Sequence, residues 1–137
     1  MGNSKVFLSR VNGSIEKWNL ENGTMEKKIQ IPTPVKRMIK TAGIHYFTEG
    51  SDKGRVIACN SLGNVYILPF EEVTEPKEDF QVEIIKQFSI GAGVEVFRVN
   101  PVNQNQFAAA GNEHPLRLWD IQTQKAIWTS KNVYFFL

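Results

Sequence analysis

"EHPLRLWDI", residues 113–121, is the stretch on which the reading of this 137-residue chain turns. A polar turn is followed by apolar and polar residues in alternation, the pattern of a half-buried β-strand. The same order of apolar anchors occurs twice upstream, in "VNGSIEKWNL" (11–20) and "SLGNVYILPF" (61–70). Ile15, Val65 and Leu116 align, then Trp18, Leu68 and Trp119, then Leu20, Phe70 and Ile121. The first anchors lie fifty and fifty-one residues apart, and self-similarity at such a period marks a repeat architecture. A turn precedes each copy: Asn12-Gly13, Leu62-Gly63, and Glu113-His114-Pro115.

Working outward, strands are expected over 5–10, 14–20, 24–31, 35–40, 44–47, 55–60, 64–70, 81–90, 94–99, 106–110, 116–121 and 125–130. No window carries a sustained helical period. Short strands joined by Gly, Pro and Asn turns predict an all-β fold. Pro32 and Pro34 suit a connector between sheets, since a proline inside a ladder removes a donor. The acidic stretch 71–79, with Pro76, is expected to be an exposed loop.

Composition agrees with a globular domain: 42% hydrophobic and 22% charged residues, with a net charge of +2. That surplus is too small to predict nucleic-acid binding by itself, which needs a clustered basic face. The nearest candidates for phosphate contact are Lys36, Arg37 and Lys40, with Arg98. Cys59 is the only cysteine, which rules out an intramolecular disulfide, and its apolar surroundings "VIACN" predict a buried, inert thiol. The start has no apolar signal core and "NVYFFL" is too short to span a membrane, so a chain without membrane contact is expected.

Catalytic parts are missing from the pattern. "GAG" at 91–93 lacks the third glycine and the following helix of a dinucleotide site. His45 is a lone histidine in an expected strand and reads as structural. His114, in a turn beside Pro115, is expected to be exposed and has no second ligand at metal spacing. The expectation is a chain that is not an enzyme, with no cofactor, no metal and no small-molecule substrate.

"LRLWDI" resembles the WD repeat of β-propellers, in which four-stranded blades are arranged radially around a channel. Trp18-Asn19 and Trp119-Asp120 are two versions of its dipeptide, and Leu68-Pro69 is a degenerate third. The resemblance assigns Trp18, Trp119 and Asp120 structural roles. It departs from many such repeats in lacking a Gly-His pair, and Glu113 takes the usual Asp turn position, so the polar tetrad around the Trp is expected to be absent or rebuilt.

Residues 89–133 are more closely similar to the WD-repeat ribosome-assembly factors. The matching positions are Gly91, Gly93 and Val94; Gly111, Glu113, Leu116, Arg117, Trp119 and Asp120; and the Lys131-Asn132-Val133 ending. After Val133 the similarity stops, and 132–137 read as a divergent, truncated end. The resemblance implies a fragment of about two and a half blades of a seven-bladed propeller, with units at about 5–31, 35–90 and 94–131.

It also implies a non-catalytic scaffold in large ribosomal subunit assembly and rRNA processing, in the nucleus and nucleolus. The implied partners are pre-ribosomal assembly factors, the ribosomal RNA particle, and an AAA-type ATPase that releases the factor. Glu113, Arg117, Lys131 and Asn132 are the implied interaction residues. The alternative is a WD-repeat adaptor of another pathway, such as a ubiquitin-ligase receptor or a signalling scaffold, since fold does not fix function.

Overall fold

The computed structural model describes residues 4–32, 40–74 and 82–130, and all regular structure among them is β. Strands β1 (Lys5–Ser9), β2 (Ser14–Asn19) and β3 (Thr24–Gln30) form a first sheet. A second contains β4 (Thr41–Tyr46), β5 (Val56–Asn60), β6 (Asn64–Leu68) and β7 (Lys86–Ser89). A third contains β8 (Val96–Val99), β9 (Gln106–Gly111), β10 (His114–Asp120) and β11 (Lys125–Thr129). Every strand pairs antiparallel with its neighbour in sequence, so each sheet is a meander.

The registers bear out the repeat. Val6 faces Trp18 across the first sheet, Val56 faces Leu68 across the second, and Phe107 faces Trp119 across the third. Thus β1, β5 and β9 are equivalent strands. Among the described residues, the first sheet has no counterpart of β4 and β8. The ladder shifts register at Lys17/Trp18 in the first sheet and at Leu118/Trp119 in the third, the same position of the repeat. A bulge there sharpens the local twist where the large indole turns inward.

Two expected strands differ from what is observed. The segment expected to pair over 81–90 does so only over Lys86–Ser89. Ahead of it the chain leaves the second sheet: the Val82 amide donates to Gln30 O at 3.2 Å, and the Val82 side chain is buried against the first sheet. Apolar burial between sheets wins over continued pairing there. The strand expected over 35–40 falls mostly outside the described residues, and β4 begins at Thr41.

The core lies between sheets, not within any one of them. Ile15, Ile29, Val56, Ala58, Leu68 and Phe70 fill the space between the first and second sheets. Ile57, Val65, Ile67, Phe97, Phe107 and Trp119 fill that between the second and third. Full burial of such a side chain contributes about 1.5–3 kcal/mol. Cys59 belongs to the second core, and burial pushes its thiol up to about 12, leaving it protonated and unreactive at neutral pH.

A polar cluster fastens the first interface at its edge. The Lys17 ammonium donates to Glu71 at 2.8 Å, Lys27 donates to Phe70 O at 2.9 Å, and the Tyr46 hydroxyl donates to Glu71 at 3.2 Å. Burial works to raise the Glu71 carboxyl, but Lys17 and Lys27 together hold it below its ordinary value. The start of the stretch expected to be an exposed loop is therefore a cross-sheet anchor, and 75–79 lie outside the described residues.

Candidate interaction surface

The hairpin turns β5–β6 and β9–β10, with the connector from β7 to β8, meet at one end of the sheets. The Ser61 amide donates to Lys40 O at 2.8 Å, and Ser61 O accepts from Gly93 at 3.0 Å. Gly93 lies against Glu113, and the Asn112 amide donates to Glu95 at 2.8 Å. Lys40 and Glu113, both exposed, thereby belong to a single rim.

His114 corrects the expectation of an exposed side chain: it is only 4% exposed. Its Nδ1 lies 3.0 Å from Pro115 O and its Nε2 3.0 Å from Ile90 O. The ring therefore ties β10 to the connector of the preceding sheet. The local sequence hid this, because a turn beside proline carries no apolar cue and the decisive partner is far along the chain.

The expected Trp environment is rebuilt in one sheet and incomplete in another. The Trp18 indole donates to Glu16 at 2.9 Å, and Arg10 donates to the other Glu16 oxygen at 2.7 Å. In the third sheet Arg117 stands where Glu16 stands in the first, as its pairing opposite Ala109 shows. Arginine has no acceptor to offer an indole. Trp119 Nε1 is accordingly buried without a hydrogen-bond partner among the described residues. Arg117 itself is half-buried on the face turned to the second sheet. Asp120 closes the β10–β11 turn: it accepts from the Thr123 amide at 2.8 Å and from Asn105 at 3.0 Å.

The Arg10 hydrogen bond holds the Glu16 carboxyl below the ordinary carboxylate range, against desolvation acting the other way. A depressed folded value means stability that is present above the unfolded value near 4.5 and lost as pH falls through the folded one. Glu16→Gln is expected to cost about 1–3 kcal/mol at pH 7. Between pH 4.5 and 3 it should lose less further stability than the parent chain. Thermal melts across that range check this, and parallel losses in the two proteins would refute it.

Of the remaining expected contact residues, Arg98 is exposed on β8. Lys40, the other described cation expected to touch phosphate, directly precedes β4. Lys36, Arg37, Lys131 and Asn132 lie outside the described residues. His45 is half-buried, and desolvation pushes its imidazole below the ordinary value.

A cleft that the sequence did not announce opens at the opposite end, between the β4–β5 and β8–β9 loops. It holds about 310 Å³ and is lined by Glu49, Asp52, Asn103 and Gln104 above Phe47 and Ile121. Gln104 bridges the two loops, accepting from the Thr48 amide at 2.9 Å and donating to the Thr48 hydroxyl at 2.7 Å. Phe47 and Ile121 beneath it are only 2% and 3% exposed, so the cleft presents mainly polar groups. Turn-rich "GSDKG" and "NPVNQNQ" read as connectors; only their meeting across two sheets makes a cleft.

The arrangement of sheets has a counterpart among solved structures. The β-propeller domain of Cps50 (Swd1) from Myceliophteria thermophila matches with a TM-score of 0.64 and 17% sequence identity, over 96% of this chain and 37% of that one. The fold is a β-propeller. The chain spans 37% of the length of that domain, and its three sheets are blades. In the propeller β4 and β8 are the inner strands, β7 and β11 the outer ones, and the two rims described above are its two mouths. No family model matches the chain, and no curated protein matches it. No helix among the described residues is long and apolar enough to cross a membrane.

Proposed function

We propose that this chain is a non-catalytic interaction scaffold of large ribosomal subunit assembly, acting in the nucleolus. Its partners on this reading are assembly factors and the precursor ribosomal RNA particle, with an AAA-type ATPase releasing it. The propeller fold supports the coarser part, because blades present loops and rims to other macromolecules while the sheets supply a rigid frame. The resemblance over residues 89–133 supports the finer part. One observation carries it: Gly93 and Glu113, far apart in that resemblance, are adjacent on one rim, with Lys40 beside them. A resembling motif that converges in space on an exposed surface is what a binding site requires.

Sedimentation of the tagged chain in cell extract tests the reading. Co-migration with large-subunit precursors is expected, reduced about tenfold or more by Glu113→Arg together with Lys40→Glu, since opposing charges at a rim penalise a fitted partner. Migration only with free protein would sink it. Co-migration with ligase or signalling complexes instead would favour the adaptor reading. Direct RNA contact would appear as a steep loss of binding between low and moderate salt.

A further inference from the structure

Asn-Gly occurs twice in the chain, at Asn12-Gly13 and Asn22-Gly23, and each pair lies in a hairpin turn of the first sheet. Asparagine before glycine is chemically labile, because no side chain shields the following backbone nitrogen from the asparagine amide. The same dipeptide thus stands in two settings. Both side chains bend back over the next peptide: Asn12 Oδ1 accepts from the Ser14 amide at 3.0 Å, and Asn22 Oδ1 from the Thr24 amide at 3.1 Å. Both glycine amides are tied alike, Gly13 to Arg10 O and Gly23 to Asn19 O, each at 2.9 Å.

The settings differ first in a further donor. The Thr24 hydroxyl donates to Asn22 Oδ1 at 2.6 Å, whereas the Ser14 hydroxyl is buried with no partner. Attack on the side-chain carbon places negative charge on that oxygen, and donors already aimed at it stabilise the charge as an oxyanion hole does.

They differ also in freedom. Gly13 and Ser14 are buried, the Asn12 carbonyl accepts from Gln30 Nε2 at 2.6 Å, and the Gly13 carbonyl accepts from the Ile31 amide at 2.8 Å. Asn22, Gly23 and Thr24 are exposed, and among the described residues neither the Asn22 nor the Gly23 carbonyl accepts a hydrogen bond. A Cβ at Gly23 would meet nothing within 4 Å, so the turn has room for a ring.

We propose that Asn22 is a covalent modification site, converted through a cyclic imide with Gly23 to aspartate and isoaspartate, while the fold holds Asn12 back. Solvent base takes the Gly23 amide proton, and the nitrogen attacks Asn22 Cγ. The new C–N bond forms and the side-chain nitrogen leaves as ammonia. Water then adds to either carbonyl of the imide and opens it, so the sequence of steps needs only solvent. The product carries a carboxylate next to Glu21, at a position that was neutral. In the isoaspartyl form the backbone gains a methylene, which displaces the bonds from Thr24. All the groups involved belong to the first sheet.

Peptide mapping of the folded chain during incubation at mildly alkaline pH is the test. The readouts are the gain in mass from NH2 to OH and labelling by an isoaspartate-specific methyltransferase. Asn22 is expected to convert at least about tenfold faster than Asn12, a factor of the size that one hydrogen bond supplies. In the urea-unfolded chain the two should convert at similar rates. Thr24→Val keeps the strand and its amide but removes the hydroxyl. It should slow Asn22 about tenfold, less than the roughly 100–1,000-fold cost of such a loss in a water-excluded enzyme site. Thr24→Ser should retain the parent rate, and Asn22→Gln should abolish the modification with far-UV circular dichroism unchanged. Equal rates at both sites in the folded chain overturn the proposal, as does a preference that survives in urea or a Thr24→Val chain that converts as fast as the parent.

Discussion

Phe107→Ala is expected to remove about 3–5 kcal/mol of stability, the usual cost of deleting a buried aromatic side chain and leaving its cavity. The ring is fully buried between the second and third blades. Its centroid lies 4.6 Å from that of Phe97 and 6.1 Å from that of Trp119, so its loss also strips two aromatic partners of their packing. Domains have only about 5–15 kcal/mol in all, and the variant should sit near the limit of folding. In urea the midpoint should fall by at least about 1 M. A shift of a few tenths would mean that the two blades do not share one cooperative core.

Gly63→Ala should cost about 2–5 kcal/mol for a different reason. Gly63 has φ +82°, where an L-residue adds about 1–2 kcal/mol of strain, and the new methyl would run into the Gly91 backbone carbonyl, which adds an overpacking cost of about 1–3 kcal/mol. Neither backbone can yield easily, because the Ile90 amide donates to Gly63 O at 2.8 Å. Gly23→Ala separates the two effects: its φ is +68° but nothing lies within 4 Å of the added atom. Thermal melts should show the larger loss for Gly63→Ala, and hydrogen exchange at Ile90 should quicken in that variant alone. Equal losses at both glycines would remove the collision from the account.

The repeat was legible because its signal is local. Strand alternation placed Ile15, Val65 and Leu116 in register, and the structure pairs their strands accordingly. What could not be read depends on contacts across blades. Val82 leaves its expected strand because the first sheet offers it a buried site, and His114 is buried because Ile90 O lies opposite its ring. Glu71 looked like the start of a solvated loop, and its cations, Lys17 and Lys27, come from another blade. The cleft beneath Gln104 exists only where two loops of different blades meet. One feature was present in the sequence and passed over. Glu16 and Arg117 each stand two residues before a Trp, hence on the same strand face, and their opposite hydrogen-bonding character foretells which indole finds an acceptor.

Placing each core between consecutive sheets has a consequence for synthesis. Nothing in the first sheet can be fully covered until the segment reaching Val82 has left the ribosome, and the second core waits for Ile121. At roughly 5–20 residues per second, the nascent chain carries an unfinished apolar face for several seconds at each stage. Co-translational folding is therefore expected to run blade by blade from the first sheet, a prediction that pulse proteolysis of stalled nascent chains checks. Through most of its translation the chain should be a client for chaperones that recognise extended apolar strands.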